Sequence, residues 1–154
     1  PAFMYDEDQE LSFRLARAGH ALVFAPEARV YHLHPDTLGT YLRRKTRLGR
    51  WKVRVHLRHP SRTWSNAYTP MTQVLQIVLL PLVTILAILG AGGWIPWWLV
   101  GGLSLAGLVS TIPLTVKAAE FGYGTAAAAP GLTLLRTRAL LVGLAWGFVS
   151  FWRQ

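Results

Sequence analysis

The sequence has no cysteine, which removes disulfides, thiolate metal sites and a cysteine nucleophile but leaves the compartment open. Acid is scarce, with seven Asp and Glu against sixteen Lys and Arg, so the formal net charge is +9. Between Met71 and Val116 there is no Asp, Glu, Lys or Arg at all. That gap, with 52% hydrophobic residues, seven tryptophans and a mean hydropathy of +0.30, excludes an ordinary water-soluble domain. It describes a polar head followed by a membrane-embedded tail. No signal peptide is visible. The chain starts at Pro1 rather than Met, directly before its acidic residues, as expected of a piece whose N-terminal portion is missing.

What acid there is lies crowded together. Asp6, Glu7, Asp8 and Glu10 fall within five positions, and only Glu27, Asp36 and Glu120 follow. Mutual repulsion in such a cluster perturbs at least one carboxylate pKa, which points to function; the plainer reading is a solvated helix start whose acids complement the helix dipole. The pattern from Asp6 to Ala18 predicts a helix, with Leu11, Leu15 and Ala18 on one face and Gly19 as its C-terminal cap. Residues 21–25 and 28–33, rich in Val, Phe and Tyr around Pro26-Glu27, read as two short strands. From Thr37 to about Leu57, Leu38, Tyr41, Leu42, Leu48, Trp51 and Val55 recur at helical spacing among Arg43, Arg44, Arg47, Arg50 and Arg54. This is a basic amphipathic helix, suited to anionic headgroups and marking the cytoplasmic side.

The tail contains two uncharged stretches, 71–91 and 94–116, each long enough to cross a hydrocarbon core of about 30 Å. Pro81 and Pro113 are expected to kink them; Gly90, Gly92 and Gly93 make the turn between them, with Trp94, Trp97 and Trp98 as an interfacial belt. Residues 118–131 read as a loop or surface segment. A third apolar stretch, about 136–152, is short for a span and has three readings: a crossing with snorkelling arginines, a re-entrant segment, or an interfacial helix. The domain reading is therefore 1–60 for the head, including the helix at about 37–57, and 61–154 for the membrane region.

Three features carry candidate chemistry: the acidic cluster, His32-Leu33-His34, and Arg47-Leu48-Gly49-Arg50-Trp51. The two histidines would share one face of a strand and suit a metal, but no third ligand is identifiable, and a polar strand end explains them as well. His32 is the weak metal candidate and no metal site is assigned. Arginines suit phosphate and an indole offers a stacking face, although a solvated basic face explains the same residues. In order, Tyr5-Asp6-Glu7-Asp8-Gln9-Glu10-Leu11-Ser12-Phe13-Arg14, then Ala18-Gly19-His20, Val23-Phe24-Ala25-Pro26 and Val30-Tyr31-His32, resemble the C-terminal part of the family 2 glycosyltransferase domain. Arg47, Arg50 and Trp51 look like the interfacial Arg-x-x-Arg-Trp motif of its membrane-bound members. The resemblance covers about residues 1–60.

The resemblance implies an α/β fragment, the C-terminal end of a GT-A nucleotide-sugar transferase domain, followed by an α-helical transmembrane region with two or three spans. It implies a nucleotide-diphospho-sugar donor, a divalent cation (Mg or Mn) with ligands mainly upstream of Pro1, and inverting transfer. Asp8 takes the place of the general base and Glu7 that of its partner. Arg47, Arg50 and Trp51 take those of the donor-phosphate and acceptor contacts. Glu10 and Arg14 read as structural and Asp6 as a helix-start residue. Because the nucleotide-binding half and its Asp-x-Asp motif are not in these residues, the piece alone is expected to be inactive. The expected setting is a multi-pass cell-membrane protein with a cytoplasmic catalytic head. It would act on a lipid-linked acceptor or a cell-envelope polysaccharide and have no nucleic-acid partner. The alternative is a non-enzymatic membrane protein whose basic head binds anionic lipid or nucleic acid; a third possibility is a membrane metalloenzyme using His32 and His34.

Overall fold

A computed structural model describes residues 5–31, 33, 35–62 and 71–152. Its elements are α1 (Glu7–Arg17), α2 (Leu38–Arg58), a 3-10 turn (Pro60–Arg62), α3 (Met71–Ala91), α4 (Trp97–Val109), α5 (Ile112–Ala119) and α6 (Tyr123–Phe151). They form two compact units, Pro1–Ser65 with Ala139–Gln154, and Asn66–Arg138, so the two ends of α6 belong to different units.

In the first unit α1 carries acids in its first turn and Arg14 and Arg17 in its last, matching both ends of the helix dipole. It ends at Gly19 (φ 85°), where Gly19 N–H donates to the Ala16 carbonyl and His20 N–H to that of Leu15, a Schellman cap that glycine makes without strain. Its buried residues are Gln9, Glu10 and Phe13, while Leu11 and Leu15 of the expected apolar face are exposed. The α/β expectation is overturned here: every regular element among the described residues is helical. Residues 21–25 and 28–31 run irregularly, with Val23 and Phe24 86% and 87% exposed, and only a turn from Ala25 to Ala28 remains between them. The physical reason is pairing. Pro-Glu lacks the positive-φ residues of a tight hairpin, and two short strands with no third beside them are marginal in water.

The basic helix α2 forms as predicted, its first turn capped by Thr37, whose hydroxyl accepts from Thr40 N–H at 3.2 Å. It packs against the C-terminal half of α6 through glycine. A Cβ on Gly49 would lie 2.5 Å from the Leu140 carbonyl; one on Gly143 would meet that of Thr46, and one on Gly147 that of Arg50. The two backbones approach so closely because no side chain separates them. Beside the seam, Val55 is fully buried and Leu140 nearly so.

The second unit is a helical hairpin with the first half of α6 beside it. Its turn closes at Gly93 (φ 77°), with Trp94 N–H donating to the Leu89 carbonyl. The second span is broken at Ser110-Thr111, just before Pro113, which lacks the N–H needed to continue the ladder. Residues 123–131, expected as loop, are helical: four consecutive alanines (126–129) favour helix strongly enough to carry Pro130 inside α6. Three stretches are long and apolar enough to cross a membrane, Met71–Ala91, Trp97–Ala119 and Tyr123–Phe151. Most of their large apolar side chains face outward, among them Val78, Ile85, Ile88, Leu105 and Val142, as lipid contact requires. The chain is a membrane protein, and its last apolar stretch begins earlier than its charge pattern implies.

The glycine seam gives a test. Gly143→Ala gains about 1 kcal/mol of helix propensity but must separate two backbones, for a net loss of about 1–2 kcal/mol, read as a lower thermal midpoint in detergent. Gly102→Ala, with nothing within 4 Å of the added carbon, should be neutral or slightly stabilising.

Candidate functional site

The acidic start of α1 and the first half of α2 face each other across a cleft of about 1040 Å³. Asp6, Glu7 and Asp8 line one side and Arg43, Arg44 and Arg47 the other, with Leu33, Pro35 and Asp36 contributing to the wall. Across the cleft Arg47 Nη1 donates to the Tyr5 hydroxyl at 3.2 Å. A cleft lined by carboxylates on one side and guanidinium groups on the other can bind a ligand that is anionic at one end and offers hydroxyls at the other.

The orientation of α1 comes from Glu10. This carboxylate is 3% exposed. It accepts from Arg14 Nε at 2.9 Å within its own helix and from Arg58 Nη1 at 3.4 Å at the far end of α2, and His59 Nε2 lies 3.8 Å away. Phe13 meets the His59 ring edge-on at 5.4 Å. Glu10, read as structural from the sequence, therefore ties the two helices that form the cleft.

Asp8 is exposed and lines the cleft; its Oδ1 accepts from Gln9 N–H at 2.8 Å, and its other oxygen has no hydrogen bond among the described residues. That leaves one oxygen oriented by the backbone and one available to a ligand. Glu7 is exposed beside it. The Arg-x-x-Arg-Trp residues separate: Arg47 lines the cleft, whereas Arg50 stacks over Trp146 of α6 at 4.2 Å and Trp51 lies 5.5 Å from Phe151. His32 and His34 lie outside the described residues. No group of three or more His, Asp or Glu among the described residues could hold a metal ion.

Asp6 is the residue that sequence reasoning underrated. It is the non-glycine residue with positive φ (58°) among those described, standing at the start of α1 without a side-chain capping bond. Its Oδ2 is buried with no hydrogen-bond partner. Burial, opposed by Lys52 and reinforced by Asp8 and Glu7, raises its pKa from 3.8 to about 6. Crowding of the four acids was the available signal, but spacing alone does not say which carboxylate is desolvated.

Three stretches long and apolar enough to cross a membrane, with a polar head that carries an acid–arginine cleft, define a membrane protein. Residues 2–149, nearly the whole chain, match the family model described as Glycosyl transferase family group 2, and the chain belongs to that family. The same comparisons find no match among curated proteins or among solved structures.

Two outcomes follow. Glu10→Leu removes the acceptor that joins α1 to α2. Because Arg14 and Arg58 are more than half exposed and can rehydrate, the cost should be about 1–2 kcal/mol, read as a lower thermal midpoint that Arg14→Ala alone does not reproduce. For Asp6, a raised folded-state pKa means that the native state holds the proton more tightly than the unfolded chain. The stability from that proton is complete below pH 3.8 and is lost as pH rises through about 6. Asp6→Asn, which tolerates positive φ, should flatten that part of the stability–pH curve and be the more stable protein at pH 7.5.

Proposed function

We propose that this chain supplies the acceptor-side residues and the membrane anchor of an inverting glycosyltransferase. The enzyme moves a sugar from a nucleotide-diphospho-sugar to a lipid-linked or polysaccharide acceptor of the cell envelope. The observation that carries the reading is the cleft in which α1 carboxylates stand opposite α2 arginines. Family membership supports glycosyl transfer over a purely lipid- or nucleic-acid-binding head.

In this reading Asp8 is the general base. Its free oxygen takes the proton of the acceptor hydroxyl as that oxygen attacks the anomeric carbon. The bond from that carbon to the diphosphate breaks on the opposite face, inverting the centre. Glu7 stands exposed beside Asp8 as its partner carboxylate. Arg47, with Arg43 and Arg44, offers guanidinium groups to the departing diphosphate, whose charge grows as the bond breaks. Arg50 and Trp51 contribute by seating α2 on α6, which holds Arg47 in place. A divalent cation, Mg or Mn, belongs to the reading as the family's cofactor, supplying further charge neutralisation at the diphosphate. The described residues do not form a site for it. The head lies on the cytoplasmic side of the cell membrane, as the basic residues of α2 require by the positive-inside rule.

The test is Asp8→Asn in the intact membrane enzyme, assayed with a nucleotide sugar and a lipid-linked acceptor. The expected loss in kcat is about 10²–10⁴-fold with donor binding nearly unchanged. Arg47→Ala should instead weaken donor binding. Wild-type turnover by the Asp8→Asn enzyme would show that the base is elsewhere.

A further inference from the structure

The second unit contains a slot of about 320 Å³ between α3, α4 and α6. Its body is apolar, built from Leu79, Leu80, Val83, Leu103, Leu108 and Leu134; one end is polar, where Gln76 and Thr111 lie. The hairpin sets its direction. Val83 is seven residues closer to the Gly93 turn than Gln76, so the apolar body runs about 10 Å inward from the polar end. Gln76 itself stands five residues inside α3, on the order of 8 Å from its start and at the hairpin end remote from Trp94, Trp97 and Trp98. The 21 residues of α3 just span a hydrocarbon core of about 30 Å, so Gln76 lies inside the hydrocarbon near one edge, a depth that a long arginine side chain can bridge to headgroup level.

The polar end is also cationic. Gln76 is buried; its amide Nε2 donates to the Ser110 carbonyl and hydroxyl at 3.2 Å each, while its Oε1 accepts from Arg136 Nη2 at 3.1 Å. Arg136 is half-buried in a helix long and apolar enough to cross a membrane. Its Nε is sealed from solvent without a partner, and no carboxylate pairs with it among the described residues. Thr133 and Thr137 lie on the same helix and donate to the carbonyls four residues before them, and Arg136 Nε has neither hydroxyl as an acceptor. Serving only as glue between helices would not require a cation: Gln76 already joins α3 to Ser110, and an uncharged donor could satisfy its oxygen. An intramembrane arginine without a counter-charge, at the mouth of an apolar slot, is complementary to a lipid phosphate.

We propose that this slot binds one acyl chain of an anionic phospholipid of the surrounding bilayer, with the lipid phosphate held by Arg136 beside Gln76. The volume lies at the small end of ligand pockets, which suits one chain rather than two. The site is separate from the acid–arginine cleft and does not depend on the glycosyltransferase reading.

The experiment uses the intact protein in nanodiscs of phosphatidylcholine containing a trace of phosphatidylglycerol with a photoactivatable acyl chain. Unlabelled phosphatidylglycerol, phosphatidylcholine and a prenyl phosphate serve as competitors, and labelled peptides are mapped by mass spectrometry. Labelling should fall on 79–83 and 103–108, with phosphatidylglycerol competing at least ten-fold better than phosphatidylcholine. That preference should collapse to about two-fold or less in Arg136→Gln and be largely kept in Arg136→Lys. Val83→Trp, which fills the slot, should abolish labelling of 103–108. Uniform labelling of the outer helix faces, or no headgroup preference in the wild type, overturns the proposal. So does unchanged labelling in Val83→Trp, or a prenyl phosphate that outcompetes phosphatidylglycerol. If Arg136→Gln does not fold, the wild-type competition and Val83→Trp still decide.

Discussion

The cleft depends on one buried carboxylate. Glu10 sits in the first turns of α1, yet its farther partners, Arg58 and His59, lie at the end of a 21-residue helix that begins beyond a long irregular segment. Phe13, one turn further along α1, closes the same contact against the His59 ring. With this end fixed, the start of α1 has little freedom, and Asp6, Glu7 and Asp8 must stand opposite the arginines of α2. Desolvating a carboxylate is expensive, and here an arginine in its own helix and a second from α2 offset the cost. Their exposure makes the clamp specific in direction more than strong in energy.

α2 carries two duties that its sequence interleaves. Arg43, Arg44 and Arg47 belong to the cleft, while Gly49, Arg50 and Val55 belong to the seam with α6. A helix that must present cations on one side and lie backbone-to-backbone on another has little room for change at Gly49. The stack of Arg50 on Trp146 explains how an arginine can occupy the seam: the ring face meets its charge, and the guanidinium loses less hydration than an ammonium would. The Arg-x-x-Arg-Trp spacing thus puts Arg47 on the wall of the cleft and Arg50 and Trp51 against α6.

The sequence was legible where the physics is local. Charge at both ends of α1, its glycine cap, the α2 stripe and the hairpin with its Gly93 turn all follow from residues within a few positions of one another. It was misleading where an element needs a distant partner. Val23, Phe24, Val30 and Tyr31 have strand-like side chains, but a strand exists only in a ladder, and none forms among the described residues. The apolar spacing of Leu11 and Leu15 likewise named a core face, whereas polar Gln9 and Glu10 are buried instead. The long alanine run before Pro130 was hidden for the opposite reason: Gly and Pro nearby read as punctuation, although propensity over the whole segment favours helix.

Asp6 shows how the site could be perturbed without any charge entering it. A left-handed backbone at a residue with a Cβ costs about 1 kcal/mol or more, and an unpaired buried oxygen adds to that. Such costs persist only where the surroundings dictate the conformation. Here the dictating elements are visible: α1 is held by Glu10, and Tyr5 on the other side of Asp6 is held by Arg47. Asp6 is the short link between two anchored points, so its strain follows from the geometry that aligns the cleft. Ionisation of this link as pH rises through about 6 adds a negative charge two residues from Asp8. The burial that accompanies this geometry therefore also sets the pH, about 6, at which Asp6 adds its charge to the cleft.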